Sequence, residues 1–278
     1  MTHICSSFFH YWNMEIPVLY PFESFKVGWD IIHFLIIIYL FFYIPLDVCF
    51  GSDFPQLLHL FFTGFFTLDI ILNFNTAYFC NGFMVVSRRK ITKNYFHNYF
   101  IFDIMTAFIF LIDYCLTINE FNYRENYVAF FKFIFYLRII TFRSLYNRLI
   151  EKFRLSMRVH MSLIELVNLL FISIIILHLF ASFWFLIAYH HIEDPTYQTW
   201  LTEHKLVDEP VFKQYSYSLY WSAVTIMTVG YGDISATNTE ETLFCIFTVV
   251  VGCMVFAYII NSIGVIVGEI NRENILFK

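Results

Sequence analysis

Apolar residues in this chain come in long blocks separated by short polar breaks, a rhythm that predicts membrane-crossing helices. Trp29 to about Phe50 is the first block, interrupted only by Asp30, His33 and Asp47. Leu57 to Phe79 is the second, carrying Asp69 and Asn73, and Tyr99 to Leu116 the third, with Asp103 inside and Asp113 near its end. Tyr127 to Leu145 is a fourth block that also carries Lys132, Arg138 and Arg143. Leu163 to Tyr189 and Leu243 to Val267 complete the set, the last without a charge. A hydrocarbon core about 30 Å thick needs about 20 apolar residues in a helix, which each block approaches. Between the last two blocks lie a polar stretch, His190 to Gln214, and an amphipathic aromatic stretch, Tyr215 to Met227.

Composition agrees: 59% of residues are hydrophobic, 14% are charged and mean hydropathy is +0.64, values that call for bilayer spans. The high aromatic content is mostly Phe, which suits lipid or helix contacts and argues for no binding cage. A net charge of −5 is too small to imply nucleic-acid binding. Six scattered cysteines, mostly inside apolar blocks, read as small packing residues and not as a disulfide or metal framework. No cleavable leader is expected, because the first 25 residues hold His, Glu and Pro without a compact apolar core.

Loop charge sets the orientation. Arg88, Arg89, Lys90 and Lys93 follow the second block, Arg143 to Arg158 the fourth, and Arg272 and Lys278 the sixth. The odd-numbered loops hold Asp53, Glu120, Glu125, Glu193, Asp194, Glu203, Asp208 and Glu209 with fewer cations. The positive-inside rule then puts both termini in the cytoplasm. The segment between the fifth and sixth blocks enters from outside and returns.

That re-entrant segment carries Thr228-Val229-Gly230-Tyr231-Gly232-Asp233. Four copies of Thr-Val-Gly-Tyr-Gly line a potassium selectivity filter with backbone carbonyls. Gly230 and Gly232 supply the positive φ that the backbone needs. Thr228 is expected to add its own oxygen, and Val229 and Tyr231 to pack against the supporting helix. Asp233, Glu240 and Glu241 near the outer mouth would raise local cation concentration. Gly252 reads as a hinge or a close-packing position. Asn261, Ile263 and Val267 are candidates for an apolar inner gate that closes by dewetting. His178 reads as a hydrogen-bonded packing residue, and His190-His191 as part of an ordinary polar loop.

With these residues in view, the chain resembles voltage-gated-like potassium channel subunits of the ether-à-go-go, hyperpolarisation-activated and cyclic-nucleotide-gated superfamily. Phe25-Lys26-Val27-Gly28-Trp29-Asp30 is similar to that family's entry to the first span, and Asp69 to Tyr78 to its second. Leu177-His178, Ala181, Ser182 and Trp184 resemble its fifth span, and Tyr217 to Trp221 with Thr225 its pore helix. The resemblance implies an all-α membrane protein: six transmembrane helices, a re-entrant pore loop and tetrameric assembly. Residues 1–26 would be a short cytoplasmic N-terminus, 27–146 a four-helix voltage-sensor-like domain, 147–162 a linker, 163–268 the pore domain and 269–278 a cytoplasmic tail. Trp221 and Thr225 would support the filter.

Family members continue after the sixth span into a cyclic-nucleotide-binding domain, so no cyclic-nucleotide site is expected in these 278 residues. The expected partners are K⁺, the bilayer and like subunits in a homo- or heterotetramer, in a plasma or ciliary-type surface membrane. No cofactor beyond permeant K⁺, no metal and no enzyme activity is expected. A modulatory, non-conducting subunit or a weakly selective cation channel is the alternative.

Sensor cations in such channels recur every third residue. Lys132, Arg138 and Arg143 depart from that frame, which passes the neutral Phe135 and Thr141. At about 100° per residue Lys132 and Arg143 share a face and Arg138 lies away from it. A depleted, irregular sensor is the expectation, with Phe66, Asp69 and Asp103 as its counter-charge site. The alternative is that these acids pair with the cations only to let the bundle assemble.

Overall fold

The computed structural model describes residues 17–51, 56–80, 83–118, 127–156, 161–192, 194 and 196–276. Asp53, Glu120, Glu125, Glu193, Arg158, Lys278 and most of segment 1–26 lie outside the described residues.

Where no water reaches the backbone, peptide groups must be satisfied within the segment, and the apolar blocks accordingly form helices. In order they are α1 (Ser24–Phe50), α2 (Gln56–Phe74), the strands β1 (Tyr78–Cys80) and β2 (Phe83–Val85), α3 (Arg88–Asn98), α4 (Phe100–Ile118), a 3₁₀ segment (Tyr127–Arg138), α5 (Ile139–Ser156), α6 (Met161–His190), α7 (Trp200–Glu203), α8 (Val211–Ile226) and α9 (Thr239–Leu276). Among the described residues four helices are long and apolar enough to cross a membrane: Ser24–Phe50, Leu57–Phe74, Ile164–His190 and Thr239–Gly268. A fifth is added if α3 and α4, bent by 64° at their junction, count as one span. The chain is an integral membrane protein.

Three boundaries differ from the sequence expectation. The second helix stops at Phe74, not Phe79, because the chain turns at Asn75, whose side-chain amide donates to the Pro17 carbonyl at 2.8 Å. Leu19 pairs with Thr76 in a parallel bridge, and a short antiparallel hairpin follows, with Tyr78 opposite Val85. The basic run at Arg88 opens α3 rather than forming a loop. The fourth block winds as a 3₁₀ helix to Arg138 and only then as an α-helix. A 3₁₀ helix turns about 120° per residue, so positions three apart eclipse. Lys132, Phe135 and Arg138 therefore share one face, and all three are buried. Arg143, in the α-helical part, is exposed and does not share the Lys132 face as an α-helical period would require.

The chain divides into two compact units. The first comprises residues up to Phe34, Gln56–Asn119 and Leu137–Lys152. Its core is aromatic: Phe62 and Phe66 of α2 pack on Phe110 of α4, and Trp29 stacks on Phe65 with ring centroids 4.7 Å apart. The second comprises Leu35–Pro55, Glu120–Tyr136 and Phe153–Lys278. Trp184 of α6 is fully buried at its centre, stacked on Trp221 of α8 at 3.8 Å and on Trp200 of α7 at 5.7 Å. Phe50 stacks on Phe185 at 3.9 Å beside them. This stack ties α6, α7 and α8 together below the loop that follows α8. Replacing a buried Trp by Ala removes its contacts and leaves a cavity, at a cost of about 3–5 kcal/mol. Trp184→Ala is therefore expected to lower the thermal unfolding midpoint of the detergent-solubilised chain markedly, and Trp184→Phe, which keeps an aromatic ring there, to lower it less.

Candidate functional site

The loop after α8 is built from that helix's own end. Thr228 donates its backbone N–H to Thr225 O at 3.1 Å, and Val229 and Gly230 donate to Val224 O at 3.0 and 3.2 Å. Carbonyls that a helix C-terminus leaves unpaired are thus taken by the first residues of the loop. Beyond them φ alternates in sign: Thr228 is at +58°, Gly230 at +61° and Gly232 at +76°, and the residues between are not positive. In a strand successive carbonyls face opposite sides. Alternating the sign of φ turns them toward one side, which makes the run a row of oxygens.

Glycine supplies two of these positions freely. Thr228 has a Cβ and holds the same conformation at a cost of roughly 1–2 kcal/mol. The sequence pattern does not reveal that strain, because nothing in a Thr side chain marks positive φ.

Residues 228–233 are exposed in the single chain. Val229 and Tyr231 are 52% and 72% exposed, so the expectation that they pack against the supporting helix is not met within one copy. Trp221 is buried in the tryptophan stack and Thr225 is half-buried under the loop. The Tyr220 hydroxyl donates to Asp233 Oδ2 at 2.7 Å and closes the far end of the loop onto α8.

Glu241 is not a mouth residue. It is fully buried, and its carboxylate accepts the backbone N–H of Trp200 at 3.1 Å and that of Thr237 at 2.9 Å. It locks the start of α9 to α7. Glu240 is exposed and lies 2.8 Å from His191. The Thr237 hydroxyl adds a third donor at 3.1 Å; burial of Glu241 could not be read from the chain, because two of its three donors are backbone groups.

His178 is 2.9 Å from both Tyr215 Oη and Phe42 O, a packing role that fixes the proton on Nε2 because a carbonyl only accepts. A Cβ on Gly252 would stand 3.2 Å from Ile226 Cα, so this glycine allows α9 to approach α8 closely, and α9 runs on unbroken. Asn261, Ile263 and Val267 are exposed along the second half of α9. Among the described residues no group of three or more His, Cys, Asp or Glu is placed to hold a metal.

The first unit carries a second site. Arg138 is 1% exposed, and its guanidinium lies over the Phe66 ring, 4.3 Å from the centroid. Nη2 is 3.5 Å from Asp69 and 3.5 Å from Asp103. The structure therefore brings Arg138, Phe66, Asp69 and Asp103 together. Each acid is also held by a neighbour: Trp29 Nε1 donates to Asp69 at 2.8 Å, Asn73 at 2.9 Å, and the Tyr95 hydroxyl donates to Asp103. Further members were not singled out for this cluster by the sequence. Lys26, fully buried, pairs with Asp30 at 2.9 Å and donates to Asn73 at 3.2 Å, and Arg148 reaches Asp30 at 3.4 Å. In the second unit Lys132 pairs with Asp47, which also accepts from Tyr43. Arg143 joins neither cluster.

A helical membrane protein with a loop of alternating φ between two long apolar helices, and buried cations set against acids, falls in the class of ion-transport proteins. The chain belongs to the ion transport protein family, whose model matches residues 25–274. It is 27% identical to potassium channel AKT2 of rice (Oryza sativa subsp. japonica) over 94% of this chain and 31% of that protein. Identity to potassium channel KAT2 of Arabidopsis thaliana is 27%, over 88% of this chain and 35% of that protein. To Arabidopsis KAT3 it is 31%, over 71% and 30%. The chain spans about a third of the length of these curated relatives.

Stranding the two backbone N–H groups that Glu241 satisfies costs about 1–3 kcal/mol for each buried donor. Glu241→Ala is expected to reduce thermal stability measurably in a melting assay, whereas Glu240→Ala, at an exposed position, leaves it within error.

Proposed function

We propose that this chain is a subunit of a potassium-selective channel of the ether-à-go-go, hyperpolarisation-activated and cyclic-nucleotide-gated superfamily. Four copies, alike or mixed with related subunits, surround one axis in a surface membrane, with six spans each and both termini cytoplasmic. The alternating φ along Thr228 to Gly232 is the observation that carries the reading. One chain supplies one row of oxygens, and a dehydrated K⁺ needs a ring of them. Exposure of Val229 and Tyr231 in the single copy fits side chains that neighbouring copies cover. So does the surface of α9, where Leu243, Ile246, Val250 and Met254 are each more than half exposed. Relatives named potassium channels support the choice of ion.

Residues 27–146 would serve as the voltage-responsive part and 163–268 as the pore. Arg138 between Asp69, Asp103 and Phe66 supports voltage response, because a cation held by fixed acids inside the bilayer moves when the field changes. One elementary charge is worth about 2.3 kcal/mol per 100 mV, and with Lys132, Arg138 and Arg143 as the sensor cations the response is shallow. Closing apolar side chains at Ile263 and Val267 around the axis would stop conduction. The chain catalyses no covalent step; K⁺ runs down its gradient.

In a whole-cell recording, replacing external K⁺ by Na⁺ is expected to move the reversal potential strongly negative. Gly230→Ala, which puts a Cβ on a residue at φ +61°, is expected to abolish the selective current at unchanged surface expression. Equal permeability to the two ions in the unaltered chain contradicts the reading.

A further inference from the structure

His33 stands inside the charge cluster of the first unit, in a position that no role described so far uses. It is 6% exposed. Its Nδ1 is 3.2 Å from Asp69 Oδ1, and its Nε2 is 2.9 Å from Arg138 Nη2. The rings of Phe65 and Phe66 meet it edge-on, at 5.7 and 6.0 Å. Of the three polar contacts of the Arg138 guanidinium, the one to His33 is the shortest, since Asp69 and Asp103 both stand off at 3.5 Å.

Donor and acceptor bookkeeping settles the proton. A guanidinium has only N–H donors and cannot accept, so Nε2 must offer its lone pair. A carboxylate accepts, so Nδ1 carries the hydrogen and donates it to Asp69. With Arg138 in place His33 is therefore a neutral Nδ1–H tautomer bridging that cation to its acid. A second proton would have to sit on Nε2. There it would destroy the acceptor that Arg138 uses and set two cations about 3 Å apart in a buried site, at the N–N separation given above. The surrounding charges are Asp69 of α2, Asp103 of α4 with Tyr95 of α3 on it, Arg138, and Lys26 and Asp30 from the helix that carries His33 itself.

We infer that His33 is a proton-binding member of the sensing site, and that a proton on its Nε2 and Arg138 in the site exclude each other. This rests on the voltage-responsive reading above. By linkage, whatever disfavours Arg138 when the proton binds must disfavour the proton when Arg138 binds. Acid thus drives the sensor toward the position in which Arg138 has left. A tenfold change in proton activity is worth about 1.4 kcal/mol. Set against about 2.3 kcal/mol per charge per 100 mV, one coupled proton shifts the midpoint by roughly 60 mV per pH unit, divided by the number of charges moved. His33→Gln is the discriminating variant: a carboxamide donates to Asp69 and accepts from Arg138 but does not titrate.

Two measurements on the full chain decide the matter. Sensor charge movement is recorded under voltage clamp with both faces at the same pH, stepped from 7.5 to 5.5. The midpoint is expected to shift with pH in the unaltered chain and to stay fixed in His33→Gln, whose charge movement persists. An equal shift in both overturns the inference. Histidine ¹⁵N spectra of the chain in lipid nanodiscs, with the His33 signal identified by its loss in His33→Gln, are expected to show a neutral Nδ1–H ring at pH 7. An imidazolium or an Nε2–H tautomer there overturns it. If no charge moves at any pH, the voltage-responsive reading fails, and the spectra still decide the protonation state.

Discussion

A peptide group or a charge inside a bilayer has no water to fall back on, and this one constraint shapes both sites of the molecule. The loop from Thr228 to Gly232 leaves regular secondary structure between two long apolar helices. Its first three N–H groups, those of Thr228, Val229 and Gly230, are spent on the end of α8, and its far end is tied down by Tyr220. The charges obey the same rule. Each buried cation of the described residues that the sequence singled out lies against named acids: Lys132 against Asp47, and Arg138 against Asp69 and Asp103. Breaking a buried pair by removing one partner is costly, which makes such clusters hard to assemble by accident.

Rigidity around the loop comes from aromatic stacking together with these polar bonds. Trp184, Trp200 and Trp221 form a continuous stack across three helices, and Glu241 fastens the start of α9 to the same centre through two backbone donors. On the proposed reading, carbonyls that replace an ion's hydration shell need their oxygens fixed before the ion arrives, and a stack of large rings with few rotamers would supply that fixity.

Much of this was legible in the sequence. Long apolar blocks gave the helices, and the Gly-x-Gly spacing gave two of the three positive-φ residues. Asp69 and Asp103 were recognisable as companions of the cations because acids stand out in apolar runs, and Phe66 because it lies three residues before Asp69 in a pair that resembles the family's aromatic-plus-acid site. What escaped has physical causes. The 3₁₀ winding of Tyr127–Arg138 changes which residues share a face, and an α-helical period misplaced Lys132, Arg138 and Arg143 relative to one another. Thr228 adopts positive φ without a glycine to announce it. Glu241 looks like a solvated acid until its backbone partners are seen, and Val229 and Tyr231 look like packing residues although one copy leaves them bare. In each case the deciding partner is backbone or lies outside the single chain, and side-chain pattern carries no record of either.

The central claim is that copies of Thr228 to Gly232 face a common axis and hold K⁺ there. Imaging the assembled chain by cryo-electron microscopy in lipid with K⁺ present tests it most directly. The account predicts four copies around one axis, a row of ion densities between the carbonyls of Thr228 to Gly232, and Val229 and Tyr231 covered by neighbouring copies. A monomer or two-fold dimer, or a fourfold ring whose loop carbonyls turn away from an empty axis, contradicts it.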